Sequence, residues 1–201
     1  MSISYFSRLM GWKAEGNSFY GTPGTYYFTV PYNVYTINIQ VQGAGGSGAG
    51  NWERHGDWGA GAGGGSGAYV LAKLSVQPFT TFSLVVGAGG ASVIGENALG
   101  IAGGQSSFSS YVTCGGGGGG QGGRGPSSAV GGTAGTYSTN TVTIISATNG
   151  YQGTGNATRN DRTWKPGGAS PSGTNYGAGG YGVNSGETSG AGQGGFVNIY
   201  W

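Results

Sequence analysis

Glycine recurs with a period of three in several stretches of this sequence, and that spacing restricts what the chain can fold into. Residues 43–48 read Gly-Ala-Gly-Gly-Ser-Gly, residues 177–182 read Gly-Ala-Gly-Gly-Tyr-Gly, and residues 87–91 repeat the pattern over a shorter run. A helix of the polyproline II type has three residues per turn and no internal hydrogen bonds, so one side chain per triplet leaves two faces of bare backbone. Such faces can exchange hydrogen bonds with neighbouring helices, as in collagen. The spacing predicts packed polyglycine II helices, with flexible glycine–serine linkers as the alternative.

The composition argues against a disordered chain. Glycine supplies 50 of the 201 residues, but only 7% of residues are charged and 36% are hydrophobic, including 13 Tyr, 7 Phe and 5 Trp. Disordered chains usually combine low hydrophobicity with high charge. Because aromatic side chains are plentiful here, we expect a folded chain with a hydrophobic core.

Short runs between the glycine segments alternate with the period of two that is typical of half-buried β-strands. Residues 35–42 place Tyr35, Ile37, Ile39 and Val41 on one face. Similar runs occupy residues 26–30, 68–76, 82–86, 141–145 and 196–201, and no segment shows helical periodicity over 11 or more residues. The sequence therefore predicts an all-β fold, a small antiparallel β-sandwich or jelly-roll framework with packed glycine-rich segments.

Two parts of the chain differ in composition. Residues 1–20 contain only two glycines and carry Tyr5, Phe6, Leu9, Met10 and Trp12. We interpret residues 1–20 as an attachment or packing segment and residues 21–201 as one glycine-rich β domain. The N-terminus has no continuous apolar region of a signal peptide, and no stretch of about 18 apolar residues predicts a membrane span.

Charge and cysteine content exclude several classes of function. The net charge is +2 and the basic residues are scattered, whereas a nucleic-acid-binding protein clusters them to neutralise phosphates. Cys114 is the only cysteine, so neither an internal disulfide nor a cysteine-based metal site can form. We expect no nucleic-acid partner and no membrane insertion.

Catalytic chemistry is poorly supported by the residues present. His55 is the only histidine, and its acidic neighbours Glu53 and Asp57 lie in a loop that has no nucleophile elbow. These three side chains are an alternative metal-ligand set, although it lacks a fourth ligand. Residues 115–120 resemble a phosphate-binding loop but are not followed by Lys and Ser or Thr. We therefore expect no enzymatic activity, no cofactor and no metal.

The order of the modules resembles a known family. The stretches FTVPYNVYTINIQVQGAGGSG, GAYVLAKLSVQPFTTFSLVVGAGG and GGFVNIYW resemble the glycine-rich domains of phage and prophage tail-fibre proteins. More distant likenesses are the distal adhesins of T-even-like phages, which carry packed polyglycine II helices, and the glycine-rich region of anaplastic-lymphoma-type receptor kinases. The likeness extends over residues 25–201.

This resemblance implies a virion protein of the tail or fibre, made in the host cytoplasm, that attaches the phage to the host cell. Its partners would be a host surface receptor, either a glycan or an outer-membrane protein, and other virion proteins bound through the N-terminal segment. It also implies a homo-oligomer; a trimer would suit a fibre, although no heptad repeat supports one. The alternatives are a purely structural virion decoration, cap or collar without receptor contact, and a secreted glycine-rich matrix protein.

Aromatic residues that interrupt the glycine segments are the candidate receptor-binding residues. Loops on a rigid scaffold commonly carry binding residues, and aromatic side chains offer large contact areas at a small entropy cost. The candidates are Trp52, His55, Trp58, Tyr151, Trp164, Tyr176 and Tyr181. The alternative is that these aromatics only cover the glycine helices. We expect Trp12, Phe28 and Trp201 to lie in the core or at an interface.

Overall fold

A computed structural model describes residues 15–50, 52–54, 57–122, 129–155, 165–183 and 187–201. These ranges contain strands and no helix of the α or 3₁₀ type, and none of them holds an apolar helix that could cross a bilayer. The strands, β1 to β12 in chain order, are Asn17–Tyr20, Gly24–Thr29, Thr36–Gln42, Trp52–Arg54, Asp57–Gly59, Tyr69–Ser75, Thr81–Val86, Ser106–Phe108, Val112–Cys114, Tyr137–Thr139, Thr143–Thr148 and Phe196–Tyr200.

The strands form two five-stranded antiparallel sheets and one small hairpin. The first sheet has the order β1-β12-β3-β6-β11 and the second the order β10-β9-β8-β7-β2, while β4 pairs with β5. The buried side chains of both sheets, among them Ile39 and Leu84, form one continuous cluster. The predicted all-β antiparallel sandwich is therefore confirmed.

Alternation along the strands places the core largely as predicted. Ile37, Ile39 and Val41 of β3 have no exposed surface. Tyr35 was predicted to share their face, but this was wrong: it precedes β3 and is 62% exposed. The predicted strand at residues 141–145 is shifted, since β11 runs over Thr143–Thr148 with a register irregularity between Ile144 and Ser146.

Both chain ends of the described structure meet at one end of the sandwich. Gly16 and Trp201 exchange two backbone hydrogen bonds of 3.0 and 3.1 Å, next to β1, which pairs with β12. Phe28 is buried, as predicted, and its ring centroid lies 5.5 Å from that of Trp201. Residues 17–20, assigned to the N-terminal segment from the sequence, thus lie within the first sheet, whereas Trp12 lies outside the described residues.

The glycine segments leave the sandwich together at its opposite end. Neighbouring strands of the first sheet reach this end in register, with Gln42 opposite both Phe196 and Tyr69, and each is continuous with a glycine segment. We call the assembled segments the glycine bundle. It comprises residues 43–50, 60–68, 87–91, 98–104, 115–121, 129–135, 150–155, 165–168, 177–183 and 188–195.

Hydrogen bonds within the glycine bundle follow a period of three. In the helix of residues 43–50, the N–H groups of residues 43, 46 and 49 bond to carbonyls 68, 65 and 62 of one neighbour. Those of residues 44, 47 and 50 bond to carbonyls 104, 101 and 98 of a second neighbour. Those of residues 45 and 48 bond to carbonyls 193 and 190 of a third. All these bonds are 2.8–3.0 Å long. Successive peptide groups therefore point to three different neighbours, as a polyglycine II helix requires. The prediction of packed helices is confirmed.

Two serines extend this network from fully buried positions inside the bundle. Ser47 Oγ accepts a hydrogen bond of 2.8 Å from the N–H of Ile101, and Ser66 Oγ accepts one of 2.7 Å from the N–H of Tyr151. Each hydroxyl satisfies a backbone donor on an adjacent helix. Because an unpaired buried donor is costly, the small side chains help to close the network.

One buried side chain joins the sandwich to the bundle. Gln42 is the last residue of β3 and has no exposed surface. Its Nε2 donates a hydrogen bond of 2.9 Å to the carbonyl of Gly67 in the helix of residues 60–68. The side chain thus links the end of β3 to a neighbouring helix of the bundle.

Candidate binding groove

The seven predicted receptor-binding residues fall in different parts of the molecule. Trp52 belongs to β4 and Trp58 to β5, and in the hairpin register Trp52 lies opposite Gly59 and Trp58 opposite Glu53. His55 and Trp164 lie outside the described residues. Tyr151, Tyr176 and Tyr181 are associated with the glycine bundle.

Tyr176 and Tyr181 belong to one side of the bundle. The helix of residues 177–183 runs antiparallel to that of residues 188–195, because Gly190 N–H bonds to the Tyr181 carbonyl at 2.9 Å and Gln193 N–H bonds to the Ala178 carbonyl at 2.8 Å. Two open depressions of about 470 and 490 Å³ follow this pair of helices. They share Asn175 and Gln193, so we treat them as one feature, the tyrosine groove.

Tyr181 lies at the end of the tyrosine groove that is farther from the sandwich, and Tyr176 lies at the end that is nearer to it. The first depression is lined by Ser92, Asn175, Ala178, Gly179, Gly180, Tyr181, Ser189, Gly190, Ala191 and Gln193. The second is lined by Gly21, Pro23, Gly89, Asn175, Tyr176, Gln193 and Gly194. The walls are therefore peptide groups and small or neutral polar side chains, with one aromatic ring in each part.

Packing holds the ring of Tyr176 in place. Its centroid lies 5.6 Å from that of Phe19 on β1 and 5.4 Å from that of Phe196 on β12, with interplanar angles of 67° and 70°. Edge-to-face contacts of this kind are favourable for aromatic pairs. Tyr176 is half-buried, so it both covers the edge of the sandwich and presents part of its ring to the groove.

Glycine makes room for the ring of Tyr181. A Cβ atom at Gly190 would come within 2.6 Å of Tyr181 Cδ1, which shows that the ring lies directly over the Gly190 backbone. The residue nevertheless remains 41% exposed. The bundle thus supports this ring from below and leaves part of its surface to solvent.

Tyr151 lies outside the tyrosine groove. Residues 165–168 separate its helix from the helix of Tyr181, since Thr154 N–H bonds to the Pro166 carbonyl while Gly179 N–H bonds to the Gly168 carbonyl. Tyr151 is 51% exposed. The structure therefore brings two of the predicted residues to one groove and places a third on a different face.

A second group of exposed aromatics lies at the opposite end of the molecule and was missed by sequence reasoning. Tyr32 and Phe79 stack with centroids 5.9 Å apart, and each directly follows a proline, Pro31 or Pro78. Phe79 is 67% exposed and has a φ of 67°, which is uncommon for a bulky residue. A proline is typical of a turn, but it does not predict which neighbouring aromatic side chains remain exposed.

The buried thiol has no visible role in binding. Cys114 lies in the core between the sheets, and its Sγ donates to the carbonyl of Val41 at 3.3 Å. Burial raises the pKa of the Cys114 thiol to about 12. Cys114 is therefore protonated at neutral pH and belongs to the core.

Metal binding finds no support in the part of the chain that is described. No group of three His, Cys, Asp or Glu side chains in those ranges could hold an ion. The alternative ligand set of Glu53, His55 and Asp57 includes His55, which lies outside them, so that alternative stays a prediction.

Comparison with known proteins matches this chain to a family model. The model of a family described as "Glycine-rich domain" matches residues 21–198. No curated protein matches the chain. The match covers nearly all of the sandwich and the whole glycine bundle, including the tyrosine groove.

Proposed function

We propose that this chain, which belongs to the glycine-rich domain family, is a non-enzymatic attachment protein of a phage virion, a tail-fibre or fibre-tip adhesin that binds the host cell surface. The observation that carries the binding role is the tyrosine groove, an open groove with supported tyrosine rings on a hydrogen-bonded scaffold. The virion assignment rests on the resemblance of the modules to phage tail-fibre proteins.

The arrangement of the two ends suits an attachment protein. Gly16 and Trp201 pair at the sandwich end, and the glycine bundle extends from the other end. The helix of residues 43–50 alone is about 22 Å long at the polyglycine II rise of ~3.1 Å per residue. A chain joined to other virion proteins through its N-terminal segment would hold the bundle away from the particle.

Several copies would strengthen a weak contact. An open groove with few side chains offers limited affinity at a single site, whereas linked copies convert later contacts into intramolecular ones with a high effective concentration. We therefore propose a homo-oligomer, compatible with a trimer, in which each copy presents one tyrosine groove. The receptor would be a surface glycan or an outer-membrane protein.

Adsorption to cells tests this function directly. The fluorescently labelled full chain is incubated with a panel of bacterial strains that differ in their surface polysaccharides and outer-membrane proteins, and retained fluorescence is measured by flow cytometry. We expect retention on some strains and not on others, and competition with adsorption of the parent phage. Retention on none of the parent phage's host strains would contradict the proposal.

The hairpin tryptophans provide a separate arm of the same experiment. If the β4–β5 hairpin also contacts the receptor, Trp52→Ala and Trp58→Ala will each reduce retention several-fold without changing thermal unfolding. Unchanged retention for both variants would remove the hairpin from the contact surface and leave the tyrosine groove.

The exposed aromatics at the sandwich end favour a second candidate function, a structural cap, collar or decoration protein. Tyr32, Tyr35 and Phe79 present aromatic surface beside the paired termini, where a neighbouring virion subunit could cover it. Labelling the chain with an antibody fragment in assembled particles distinguishes the two roles. A position at a fibre tip supports the adhesin, and a position at a collar or capsid supports the structural role.

A further inference from the structure

We infer that the tyrosine groove binds an uncharged oligosaccharide, so that the receptor of this protein is a surface glycan. The inference rests on the proposed attachment function and chooses between the two receptor classes that this function leaves open. It follows from the chemistry of the groove walls, the placement of the two rings and the length of the groove.

The polar side chains of the groove match the hydroxyl groups of sugars. Asn175 and Gln193 are exposed and are shared by both parts of the groove. A side-chain amide offers both hydrogen-bond donors and acceptors, and so can pair with a hydroxyl, which is also a donor and an acceptor. Ser92 adds a hydroxyl of the same kind.

The described residues of the groove include none that would neutralise a charged ligand. Among them, no residue that lines either depression is Asp, Glu, Lys, Arg or His. A sulfate, phosphate or carboxylate group that entered the groove would lose hydration without gaining an opposite charge, and burial of an unpaired charge is unfavourable. The ligand that fits these walls is therefore neutral.

The two tyrosines supply flat apolar surfaces at separated points. The C–H face of a pyranose ring packs on an aromatic ring, and tyrosine loses little rotamer entropy on binding. Contacts with Phe19 and Phe196 fix Tyr176, and the backbone of Gly190 supports Tyr181. Because both rings are held before binding, the cost of ordering them is small.

The length of the tyrosine groove favours a ligand longer than one sugar. Ala178 and Tyr181 both line the groove and are three residues apart in a polyglycine II helix, which corresponds to about 9 Å at ~3.1 Å per residue. A monosaccharide cannot contact both ends of that span. The groove is also open, so a polysaccharide could continue beyond it in either direction.

The backbone of the groove is less suited to an extended peptide. Peptides that add to a sheet use a row of unpaired N–H and C=O groups. Here the N–H groups of Gly190 and Gln193 are already bonded to carbonyls of the opposite wall. The donors that join the two helices are thus already used within the bundle, and a ligand in the groove meets side-chain amides and aromatic rings.

A direct binding experiment tests the inference. The full chain is titrated by calorimetry or placed on a glycan array with neutral oligosaccharides of two to eight sugars released from the polysaccharides of a strain that it adsorbs to. Dextran and dextran sulfate of matched length test the effect of charge. We expect binding to at least one neutral oligosaccharide, with affinity that rises with length beyond two sugars, and at least tenfold weaker binding of a sulfated counterpart.

Variants assign the binding to the groove. We expect the double substitution Asn175→Ala and Gln193→Ala to weaken oligosaccharide binding at least tenfold, whereas Gln105→Ala, an exposed glutamine outside the groove lining, leaves it unchanged. Tyr181→Ala should weaken binding and Tyr181→Phe should retain most of it, since the ring remains. Thermal unfolding of each variant checks that the fold is intact, and equal binding by the double variant and the Gln105 control would overturn the inference.

Cell adsorption separates failure of this inference from failure of the attachment function. Periodate oxidation of the host surface destroys vicinal diols of sugars and is expected to abolish retention, whereas protease treatment is expected to leave it. If retention survives periodate but not protease, the receptor is a protein and the glycan inference is wrong while the attachment function stands. If untreated cells of no host strain retain the chain, the attachment function itself fails.

Discussion

In the β-sandwich the buried groups are branched and aromatic side chains such as Ile39, Leu84 and Phe108, whereas in the glycine bundle they are peptide groups. Residues 43–50 and 60–68 are as fully buried as the centre of the sandwich. Their side chains, however, go no further than the methyl of Ala44 or the hydroxymethyl of Ser47 and Ser66. Two regions of one chain are thus equally buried by different means.

The glycine bundle depends on the sandwich for its stability. Burial of apolar side chains contributes roughly 25 cal/mol per Å², and glycine helices have few such side chains to bury. Ordering glycine also costs about 0.5–1 kcal/mol per residue more than ordering alanine in regular structure. The sandwich therefore supplies the hydrophobic stabilisation. Because the sandwich holds its strand ends in register, the glycine helices that continue from those ends are held side by side.

The largest effect is expected from adding one carbon to the centre of the bundle. Gly64→Ala would place a Cβ within 2.6 Å of the Ser47 carbonyl oxygen and still closer to the Gly46 carbonyl. Both carbonyl groups belong to the backbone of a neighbouring helix that is itself hydrogen-bonded. Neither group can therefore move without disturbing those hydrogen bonds. We expect a loss of at least about 3 kcal/mol in the free energy of unfolding, measured by urea denaturation.

Gly194→Ala is the matched control, because among the described residues its added Cβ would approach just one atom, the Gly87 carbonyl oxygen at 3.8 Å. Replacing a glycine where space and backbone allow it usually stabilises a protein by about 0.4–1 kcal/mol. Equal stabilities for the two variants would show that the close approach of backbones does not set the glycine requirement.

A single-carbon change in the sandwich is expected to have a smaller effect. Ile39→Val removes one methylene from a side chain with no exposed surface and should cost about 1 kcal/mol in urea denaturation. Side chains around the site can partly close the space, whereas the helices around Gly64 cannot. A loss in Ile39→Val as large as that in Gly64→Ala would remove the distinction between the two regions.

The smallest effect concerns pH and the buried thiol. Because the pKa of Cys114 is raised from 9.0 to about 12 by burial, the unfolded chain releases this proton before the folded one does. The contribution of the protonated Cys114 thiol to the free energy of unfolding is complete below about pH 9 and is lost as the pH rises toward 12. Through this group, we expect the free energy of unfolding of the wild-type protein to be lower at pH 9.5 than at pH 8 by about 0.8 kcal/mol.

Cys114→Ala provides the comparison for that measurement. The difference in unfolding free energy between wild type and variant should shrink between pH 8 and pH 9.5, and tyrosine titration affects both proteins alike. A difference that stays constant with pH would show that the thiol titrates normally in the folded chain.

The long strands could be predicted from the sequence, and the short ones could not. Alternation over seven residues identified β3 and β6, and the neighbouring runs located β7 and β12. Strands β8, β9 and β10 have three residues each, too few for a period of two to stand out. These short strands nevertheless complete the second sheet, because β9 and β8 connect β10 to β7.

Some residues of the tyrosine groove stood out in the sequence and others did not. The aromatics that interrupt glycine triplets were identified from the sequence, and two of them, Tyr176 and Tyr181, lie at one groove. Asn175 and Gln193 could not be singled out, since an isolated amide in a glycine-rich stretch has no distinguishing pattern. They come together only because residues 177–183 and 188–195 are neighbours in the bundle.

The local conformations follow from the sequence. The triplet phase of glycine determined the three-residue helix, since only a residue without a side chain lets backbones approach that closely, and the two-residue alternation determined the strands. Which helix lies beside which depends on the tertiary structure, because a bare backbone presents the same donors and acceptors along its whole length. The strand order and register at Gln42, Tyr69 and Phe196 set where three of the helices join the sandwich, those of residues 43–50, 60–68 and 188–195. Hydrogen bonds between backbones then set the neighbours of these helices and the placement of the groove.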